Sequence, residues 1–567
     1  MTDKSNLATS KLNALPVNLS GQELLRDPLL NKGSAFTQEE RLTFDLLGLL
    51  PHAEVSMDLQ AERVYQHFTR LKDDFDKYIA LSSLQDRNEH LFYRLLQDHL
   101  EEFMPIVYTP TVGLATQKFS HLFRRGRGIW ITPPQRGAMR DQLQKIADER
   151  AIKLIVVTDG ESILGIGDQG AGGMAISIGK LALYSAGAGI HPANTLPVCL
   201  DFGTNNPLLL EDEFYLGWPE SRLQGEAYDE LLEEFVTAVE GVFPGCMIQW
   251  EDFRKDNALN IMERYQYRVP SFNDDIQGTG AVALAGVLTS LRTNGASLTD
   301  QRVVILGAGA AGIGIARQLR AAMKLTDADS DPVIAVLDSR GLITESGLSS
   351  DSYKCELAWN EQQMSRFGLA VDGKHDLMAV VSAIKPTVLI GSSGQSGAFT
   401  EQIVKQMAAQ VERPLIMPFS NPTSLSEATP KSLYKWTEGK CMVATGSPFD
   451  PVEHNGKTFQ VGQGNNVFVF PGLGLAAVAG SLKVINEKQI YAAALALSDN
   501  VTDDEIKEGL LFPSVSRLHE VSLAVARAVL AQAVEEGVTN ISEDQIDDLL
   551  EANGWNPQYL PYIKANS

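Results

Sequence analysis

Residues 302–323 read RVVILGAGAAGIGIARQLRAAM, and this stretch decides the fold that the sequence predicts. Residues 302–306 form an apolar strand, and a helical repeat of apolar residues closes the stretch. Between them Gly307, Gly309 and Gly312 match the pattern GxGxxG, whose glycines let a pyrophosphate approach backbone N–H groups at a helix N-terminus. The order of strand, glycine turn and helix indicates a Rossmann-like dinucleotide-binding unit. The alternative is a tight turn that binds no ligand.

The predicted strand after this helix ends at Asp338, 26 residues beyond Gly312. An acidic side chain at that place can accept hydrogen bonds from the adenosine ribose hydroxyls. Asp338 would repel the 2′-phosphate of NADP, although Arg340 could pair with that phosphate. The sequence therefore favours NAD as the dinucleotide.

Outward from the glycine turn, short apolar strands alternate with helical segments, which is typical of parallel sheets covered by helices. The fold class that we predict is α/β, with a helical N-terminal region, a parallel α/β catalytic domain and a Rossmann-like dinucleotide-binding domain. About the first 20 residues are polar, and we expect them to be loose. The expected division is a helical region over 1–130, a catalytic and metal-binding domain over 131–277 that is completed by 467–540, a Rossmann-like NAD-binding domain over 278–466, and a C-terminal tail over 541–567.

The composition excludes several classes of function. The 567 residues include 71 acidic and 48 basic side chains. The resulting formal charge of −23 repels phosphate backbones and anionic lipid. No run of eighteen apolar residues occurs, and the four cysteines lie far apart without a CxxC pair, which fits buried reduced thiols. We therefore expect a cytoplasmic protein without nucleic-acid or membrane partners.

Two acidic pairs lie among apolar and aromatic residues. Glu251 and Asp252 belong to IQWEDF, and Asp274 and Asp275 belong to SFNDDIQG. Carboxylates do not stay in such surroundings unless their charge is compensated, and a divalent cation can do this. Oxygen ligands without His or Cys favour Mg²⁺ or Mn²⁺ over zinc. Alternatively, the second pair caps the helix that follows it.

A lysine and a tyrosine are candidates for proton transfer. Lys180 is the only charged residue between residues 171 and 190, so it either extends to water or has a lowered pKa that suits a base. Tyr108 in MPIVYTPTVG has a proton to give, but its reference pKa is near 10, and taken alone it fits a packed aromatic residue with a satisfied hydroxyl better. A dinucleotide site, a hard-cation site and an acid/base pair together suit the oxidation of a hydroxy acid with metal-assisted loss of CO₂.

The motifs of the whole chain resemble those of the malic enzymes, with the bacterial NAD-linked branch as the nearest likeness. The segments that carry this resemblance occur in family order: LLNKGSAFTQEER, RNEHLFYRLL, MPIVYTPTVG, VVTDGESILGIGDQG, IGKLALYSAGAG, WEDF, FNDDIQGT, LGAGAAG, SNPT, TGSPF and GQGNN.

The resemblance implies oxidative decarboxylation of (S)-malate to pyruvate and CO₂, with reduction of NAD and dependence on Mg²⁺ or Mn²⁺. It implies that Tyr108 acts as general acid and Lys180 as general base. The site residues that it further implies are Glu251, Asp252 and Asp275 as metal ligands, and Asn421 and Asn465 as contacts to substrate and nicotinamide.

One position departs from the family pattern. Many malic enzymes have an arginine after DGE, where it binds a malate carboxylate, whereas this chain has Ser162 at that substrate-binding position. The malolactic enzymes, which convert malate to lactate without releasing NADH, also lack the arginine, but they tend to have aspartate where this chain has Thr109. Malolactic chemistry is therefore one alternative, and a non-catalytic NAD-binding regulator is another.

The resemblance also implies partners beyond malate. Malic enzymes usually form homodimers or homotetramers. Some bind an anionic effector through arginines of the N-terminal helices, and Arg63 and Arg87 stand at matching places.

Overall fold

The structure is a computed structural model that describes residues 14–293, 295–347, 352–371 and 373–565. Its α-helices are α1 (Gly21–Arg26), α2 (Gln38–Thr43), α3 (Met57–Phe68), α4 (Asp74–Gln85), α5 (Glu89–Asp98), α6 (Leu100–Val107), α7 (Thr111–Gln117), α8 (Phe119–Leu122), α9 (Met139–Ala147), α10 (Met174–Ala188), α11 (Pro207–Leu210), α12 (Glu226–Val242), α13 (Lys255–Tyr265), α14 (Thr279–Leu291), α15 (Ala310–Thr326), α16 (Ser352–Cys355), α17 (Glu361–Arg366), α18 (Leu377–Ile384), α19 (Glu401–Gln410), α20 (Pro430–Trp436), α21 (Phe470–Gly480), α22 (Glu487–Asp499), α23 (Asp503–Glu508), α24 (Leu518–Glu536) and α25 (Ile546–Asn553).

The strands are β1 (Leu15–Val17), β2 (Ile129–Ile131), β3 (Leu154–Thr158), β4 (Thr195–Leu200), β5 (Met247–Trp250), β6 (Ser271–Asn273), β7 (Arg302–Leu306), β8 (Val333–Asp338), β9 (Gly341–Leu342), β10 (Val388–Gly391), β11 (Leu415–Pro418), β12 (Met442–Thr445), β13 (Val452–His454), β14 (Lys457–Phe459), β15 (Gly462–Gln463) and β16 (Tyr562–Lys564).

A five-stranded parallel sheet has the order β2-β4-β3-β5-β6. Every residue of β3, β4, β5 and β6 is buried, because a parallel sheet is covered on both faces. At the carboxyl ends of three strands the chain turns polar, with Asp159 after β3, Glu251 after β5 and Asp274 after β6. This edge of the sheet therefore concentrates carboxylates.

A seven-stranded sheet has the order β15-β12-β11-β10-β7-β8-β9, and only β9 runs antiparallel to its neighbour. The strand order reverses between β7 and β10, which places a ligand crevice at their carboxyl ends. There the glycine turn after β7 meets the loop after β10: a Cβ on Gly307 would lie 2.5 Å from the carbonyl oxygen of Ser392. The predicted Rossmann-like arrangement is confirmed.

The two sheets share one hydrophobic core, which includes the helices that follow residue 467. Helix α21 packs against α10 of the five-stranded sheet, with the rings of Tyr184 and Phe470 4.9 Å apart. Helix α14 leads from the end of β6 to the seven-stranded sheet, which begins with β7. The cleft between the carboxyl ends of the two sheets is thus held on a common base.

The start of the described chain is ordered. Strand β1 pairs in parallel with β16, and Leu15, Val17 and Tyr562 belong to a small separate core. The expectation that the first 20 residues are loose is therefore wrong for the segment from Leu15 onward, while residues 1–13 lie outside the described residues. The polar composition of this segment hid a strand whose partner is the other end of the chain.

The cysteines and the helices can be compared with what the composition indicates. Cys199, Cys246 and Cys441 are buried, but Cys355 is exposed, so the buried-thiol prediction is wrong for that residue. Within the part of the chain that the structure describes, no helix combines the length and the apolar character needed to cross a membrane.

Candidate active site

A cavity of about 670 Å³ lies at the carboxyl ends of both sheets. It brings together most of the residues that the sequence singled out: Tyr108, Ser162, Lys180, Glu251, Asp252, Asp275, Gly309, Asn421 and Asn465 all line it. Gly307 and Gly312 lie in the adjoining turn, whereas Asp338 lines a different cavity of about 370 Å³.

We call Lys180, Glu251, Asp252, Asp274 and Asp275 the buried acid cluster. Glu251 and Asp252 follow β5, and Asp275 lies in a single π-helical turn that continues β6 into α14. One carboxylate oxygen of each of Glu251, Asp252 and Asp275 lies within 4.8 Å of the others. The Oδ2 atom of Asp252 is buried and has no hydrogen-bond partner. An oxygen-only donor set with an unsatisfied buried oxygen fits a hard divalent cation.

Burial and mutual repulsion shift these acids. Burial is the largest cause that raises the pKa of Glu251 and Asp252 well above the usual range, and neighbouring carboxylates add to it. The same causes raise the pKa of Asp275 to about 6. Three ionised carboxylates in such a place need a compensating positive charge, which agrees with a cation site.

Lys180 lies on α10 with only 2% of its surface exposed. Its Nζ forms an ion pair with Asp274 and another with Oε1 of Glu251 at 3.1 Å, and it lies 4.4 Å from the ring centre of Phe470. Burial works to lower the pKa of Lys180, but the two carboxylates outweigh it and raise the pKa well above its ordinary value. Both expectations for this lysine, extension to water or a lowered pKa, are therefore wrong for the structure, because two acids meet it inside the protein.

Tyr108 follows directly on α6 and is 6% exposed. Its hydroxyl donates a hydrogen bond to Oε1 of Glu251 at 3.2 Å, the same oxygen that Lys180 contacts. Burial is the main cause that raises the pKa of Tyr108 well above 10. The phenol therefore keeps its proton and is able to deliver it within the cavity.

The idea that Asp274 and Asp275 cap the following helix is wrong. The cap is Asn273, whose side chain accepts a hydrogen bond from the backbone N–H of Ile276 at 3.0 Å. Asp274 instead accepts from Asn466 Nδ2 at 3.0 Å and pairs with Lys180. The sequence points to Asp274 only as a member of an acidic pair, and the resemblance implies Asp275 alone of that pair as a metal ligand, so the contact of Asp274 with Lys180 was not predicted.

Two further buried polar residues support the acid cluster and were missed. The Nε2 of Gln249 donates to Oε2 of Glu251 at 2.6 Å, and the hydroxyl of Tyr184 donates to Oε1 of Gln249. Gln249 and Tyr184 are completely buried. The available signal was a glutamine inside the apolar strand MIQW, since residues two apart on a strand share a face.

The remaining candidate substrate contacts surround the acid cluster. The backbone N–H of Ser162 donates to the carbonyl of Asp252 at 3.1 Å. Asn421 accepts from the hydroxyl of Ser447, and Oδ1 of Asn465 accepts from the N–H of Val467 at 3.0 Å. These contacts fix the orientation of the two asparagine amides at the cavity wall.

The glycine turn fits a dinucleotide phosphate. Gly307 has φ +120°, and a Cβ on Gly312 would collide with the carbonyl oxygen of Gly307, so larger residues would not fit at either place. Around Gly309, where helix α15 starts, a Cβ would meet nothing within 4 Å. The turn therefore leaves open space at a helix N-terminus, where an anion is stabilised.

We call Asp338, Arg340 and Lys354 the ribose cluster, after the adenosine ribose that the sequence predicts Asp338 to bind. Asp338 ends β8 as predicted, and its carboxylate pairs with Lys354 at 2.8 Å and Arg340 at 3.2 Å. Burial works to raise the pKa of Asp338, but these hydrogen bonds outweigh it and lower the pKa. Arg340, considered as a partner for a 2′-phosphate, is thus bound to the acid that would repel that phosphate.

The two arginines considered for an effector are exposed. Arg63 lies on α3, and the Nε of Arg87 donates to the carbonyl of Ser83 at 3.0 Å. Neither arginine lines the cavity of the acid cluster.

Known proteins resemble the chain along its whole length. Residues 85–266 match the family model "Malic enzyme, N-terminal domain", and residues 276–534 match "Malic enzyme, NAD binding domain". The NAD-dependent malic enzyme of Photorhabdus laumondii is 45% identical over 97% of this chain and 98% of its own, and that of Acinetobacter baylyi is 44% identical over both full lengths.

Solved structures agree on the fold. A malic enzyme of Entamoeba histolytica is 21% identical with a TM-score of 0.55 over 90% of each chain. A malic enzyme of Pyrococcus horikoshii is 23% identical with a TM-score of 0.52 over 80% of this chain and 89% of its own. On its sequence matches along the full length, the chain belongs to the malic enzyme family.

Proposed function

We propose that this protein catalyses the oxidative decarboxylation of malate to pyruvate and CO₂ with reduction of NAD, in a reaction that depends on a divalent cation. The observation that carries the proposal is the meeting of a three-carboxylate cation site, a lysine, a tyrosine and a dinucleotide turn at one cavity. The names of the full-length relatives support the substrate and the cofactor.

The two bound groups supply the chemistry that side chains lack. The turn of Gly307, Gly309 and Gly312 would hold NAD, which would supply a hydride acceptor for C2 of malate. Glu251, Asp252 and Asp275 would hold Mg²⁺ or Mn²⁺, which would supply positive charge to stabilise an enolate.

Lys180 is proposed as the general base. In its neutral form it takes the proton of the C2 hydroxyl while the C2 hydride departs, which gives oxaloacetate. The acids that keep Lys180 protonated in the ligand-free protein include Glu251, a proposed cation ligand. Compensation of that carboxylate removes one of the causes that raise the pKa of the lysine.

Tyr108 is proposed as the general acid. When the C3–C4 bond breaks and CO₂ leaves, the electron pair stays on the enolate, and the Tyr108 hydroxyl protonates C3 to give pyruvate. Tyr108 and Lys180 contact the same oxygen of Glu251, at 3.2 and 3.1 Å. The proton that the lysine gains therefore lies close to the phenol that loses one, and the two transfers balance.

The cavity wall supplies orientation. We propose that Asn421 and Asn465 donate amide hydrogen bonds to the substrate, that Asn421 also reaches the nicotinamide, and that Ser162 lies at the substrate carboxylate. Asp338 is proposed to bind the adenosine ribose.

We also propose the larger organisation. The domain boundaries at residues 130, 277 and 466, with completion by 467–540, stay predictions. The exposed Leu42, Leu47 and Leu59 of the N-terminal region support a homodimer or homotetramer. An anionic effector at Arg63 and Arg87 is a further proposal, and malate saturation curves with and without fumarate test it, since identical curves would contradict it.

One assay tests the proposed function. Protein, malate, NAD and Mn²⁺ are mixed, NADH is followed by its absorbance, and pyruvate and lactate are then measured. We expect equal amounts of NADH and pyruvate, and no turnover after a chelator removes the cation. Lactate without NADH would identify malolactic chemistry, and no product would indicate a non-catalytic regulator. Repeating the assay with NADP measures the nucleotide preference.

A further inference from the structure

We propose that Arg254 is a substrate-binding residue whose guanidinium pairs with one carboxylate of malate and so determines the preference for a dicarboxylate. This inference rests on the proposed malate activity. No sequence motif pointed to Arg254, which lies two residues after Asp252 of the acid cluster.

Carboxylates make the cavity strongly acidic. Four carboxylates line it, and malate brings two more negative charges. Among the described residues that line the cavity, the cationic ones are Lys180, Arg254 and Lys255. Lys180 is held by two acids and has to be neutral to act as a base, so it is not the fixed positive charge for a substrate carboxylate. Even a divalent cation at the acid cluster leaves a dianion in need of a further cationic partner.

Arg254 lies at the N-cap position of α13, where its side chain makes no capping hydrogen bond. Its Nη1 lies 3.4 Å from Oε1 of Glu161. Glu161 adjoins Ser162, whose N–H donates to the carbonyl of Asp252 at 3.1 Å. The guanidinium therefore lies beside the segment that carries Ser162, where the family resemblance implies a substrate carboxylate.

The side chain of Arg254 is held only weakly by its partner Glu161. The Arg254 side chain is 49% exposed, and a partly exposed ion pair at 3.4 Å is weak. Glu161 also accepts a hydrogen bond from Asn257 at 3.2 Å, so it keeps a partner when the arginine turns away. Arg254 can thus leave Glu161 for a substrate at small expense in stability.

Arg254 and Lys255 differ in their ion-pair partners and in the shape of their charged groups. Lys255 points its Nζ to within 3.2 Å of Asp256, and its side chain is 23% exposed. A lysine offers a point charge, whereas the planar guanidinium offers two parallel N–H donors that match a carboxylate. Lys255 carries the same charge at the neighbouring position and is therefore the matched control.

The test compares variants in steady-state malate oxidation with saturating NAD and Mn²⁺. We expect Arg254→Met to raise the KM for malate at least about tenfold, with kcat within about threefold, because a charge-assisted hydrogen bond is lost. The inhibition constant of tartronate, a non-reacting dicarboxylate, should rise by a similar factor. Lys255→Met should change both constants less than about threefold.

Two more variants decide between substrate binding and a structural role. Glu161→Gln removes the same ion pair from its other side, and we expect an unchanged or lower KM for malate because the arginine is released. The double variant Ser162→Arg with Arg254→Met should recover malate affinity, since it returns a guanidinium to the same wall.

The outcomes are distinct. A KM in Arg254→Met that stays within twofold of wild type, or an equal rise in Glu161→Gln, would overturn the role of Arg254 while the wild-type turnover stands. Absence of malate oxidation in the wild type would instead overturn the proposed function. If the melting temperature shows that Arg254→Met is poorly folded, Arg254→Lys replaces it. A KM for malate above that of the wild type but below the tenfold rise expected for Arg254→Met supports the role of Arg254. An unchanged KM for malate contradicts it.

Discussion

The buried acid cluster and the ribose cluster both pair an aspartate with a lysine at the carboxyl end of a parallel sheet, yet their surroundings differ. The side chains of Lys180 and Asp274 are 2% and 1% exposed, whereas Lys354 and Arg340 beside Asp338 are 19% and 56% exposed. In the buried acid cluster the charges of Lys180 and Asp274 depend on protein partners, because these side chains are almost inaccessible to solvent. In the ribose cluster the side chains of Lys354 and Arg340 are more open to solvent, which screens their charges.

This difference separates chemistry from recognition. A group that transfers protons or holds a cation needs a site where fields are strong and geometry is fixed, and burial provides both. Asp338 is proposed only to recognise a ribose; its own side chain is 9% exposed, but Arg340 beside it is 56% exposed. We therefore expect substitutions in the acid cluster to have larger effects than matched substitutions in the ribose cluster.

The largest expected effect is that of Lys180→Ala. We expect kcat to fall about 10²- to 10⁴-fold, the range for a positioned acid or base, with the Kd for NAD within about threefold. Steady-state kinetics and nucleotide titration measure the two quantities. Lys354→Ala is the matched control, and its kcat at saturating NAD should change less than about threefold. Equal kcat losses in the two variants would break the comparison.

The next effect concerns the support of the cation site. Gln249→Leu removes the 2.6 Å hydrogen bond to Glu251, and we expect Mn²⁺ affinity to fall about 10- to 100-fold, as is usual when a supporting partner of a metal ligand is lost. Electron paramagnetic resonance of free Mn²⁺ measures binding without turnover. Tyr184→Phe, one bond further away, should have a smaller effect. Unchanged Mn²⁺ affinity in Gln249→Leu would contradict the role of the buried glutamine.

A buried group without a counter-charge sharpens the comparison further. Burial lowers the pKa of His191 to about 3, and its ring lies 5.2 Å from that of Trp555. The folded protein keeps His191 neutral, so below pH 6.5 only the unfolded chain gains the proton. Stability is then lost at about 1.4 kcal/mol per pH unit as the pH falls towards 3.

His191→Asn keeps an acceptor for the N–H of Ala193 and removes this titration. We expect the melting temperature of the variant to fall less steeply between pH 6.5 and 5 than that of the wild type. Its melting temperature at pH 7.5 serves as the reference, because lost packing acts at every pH. Parallel curves for the two proteins would show that His191 does not limit acid stability.

The smallest effect is expected at the ribose cluster. Asp338→Asn keeps the shape of the side chain and removes the charge, so the KM for NAD should rise only about three- to tenfold. At the same time kcat/KM for NADP should increase, because Lys354 and Arg340 become available to a 2′-phosphate. Kinetics with both nucleotides measure this. An unchanged KM for NAD would show that Asp338 is not part of the proposed cofactor site.

Local sequence patterns predicted the parts that depend on neighbours in the chain. The strand RVVIL followed by Gly307, Gly309 and Gly312 became β7 and its turn, since steric demands of a turn act over a few residues. Asp338 ends β8 for the same reason. The acids of WEDF and NDD were found through their apolar flanks, and the structure brings three of them within 4.8 Å.

The partners of these residues could not be predicted from the sequence. Lys180 meets Asp274 across 94 residues, and no local rule states which acid a buried lysine will find. For that reason the direction of its pKa shift was predicted wrongly. Arg254 was overlooked because exposed charges are common, and only the cavity shows which of them face it.

The pairing of β1 with β16 has a consequence for the newly made chain. Leu15 leaves the ribosome early, while its partner Tyr562 emerges nearly 550 residues later, after roughly half a minute to two minutes at usual rates of synthesis. The Tyr562 hydroxyl also donates to the carbonyl of Leu30 at 3.0 Å, and its ring covers Lys32, so this small core is complete only after residue 562 has been made. Until then Phe36 and Phe44 lack the aromatic ring that packs edge-on against both of them in the folded protein.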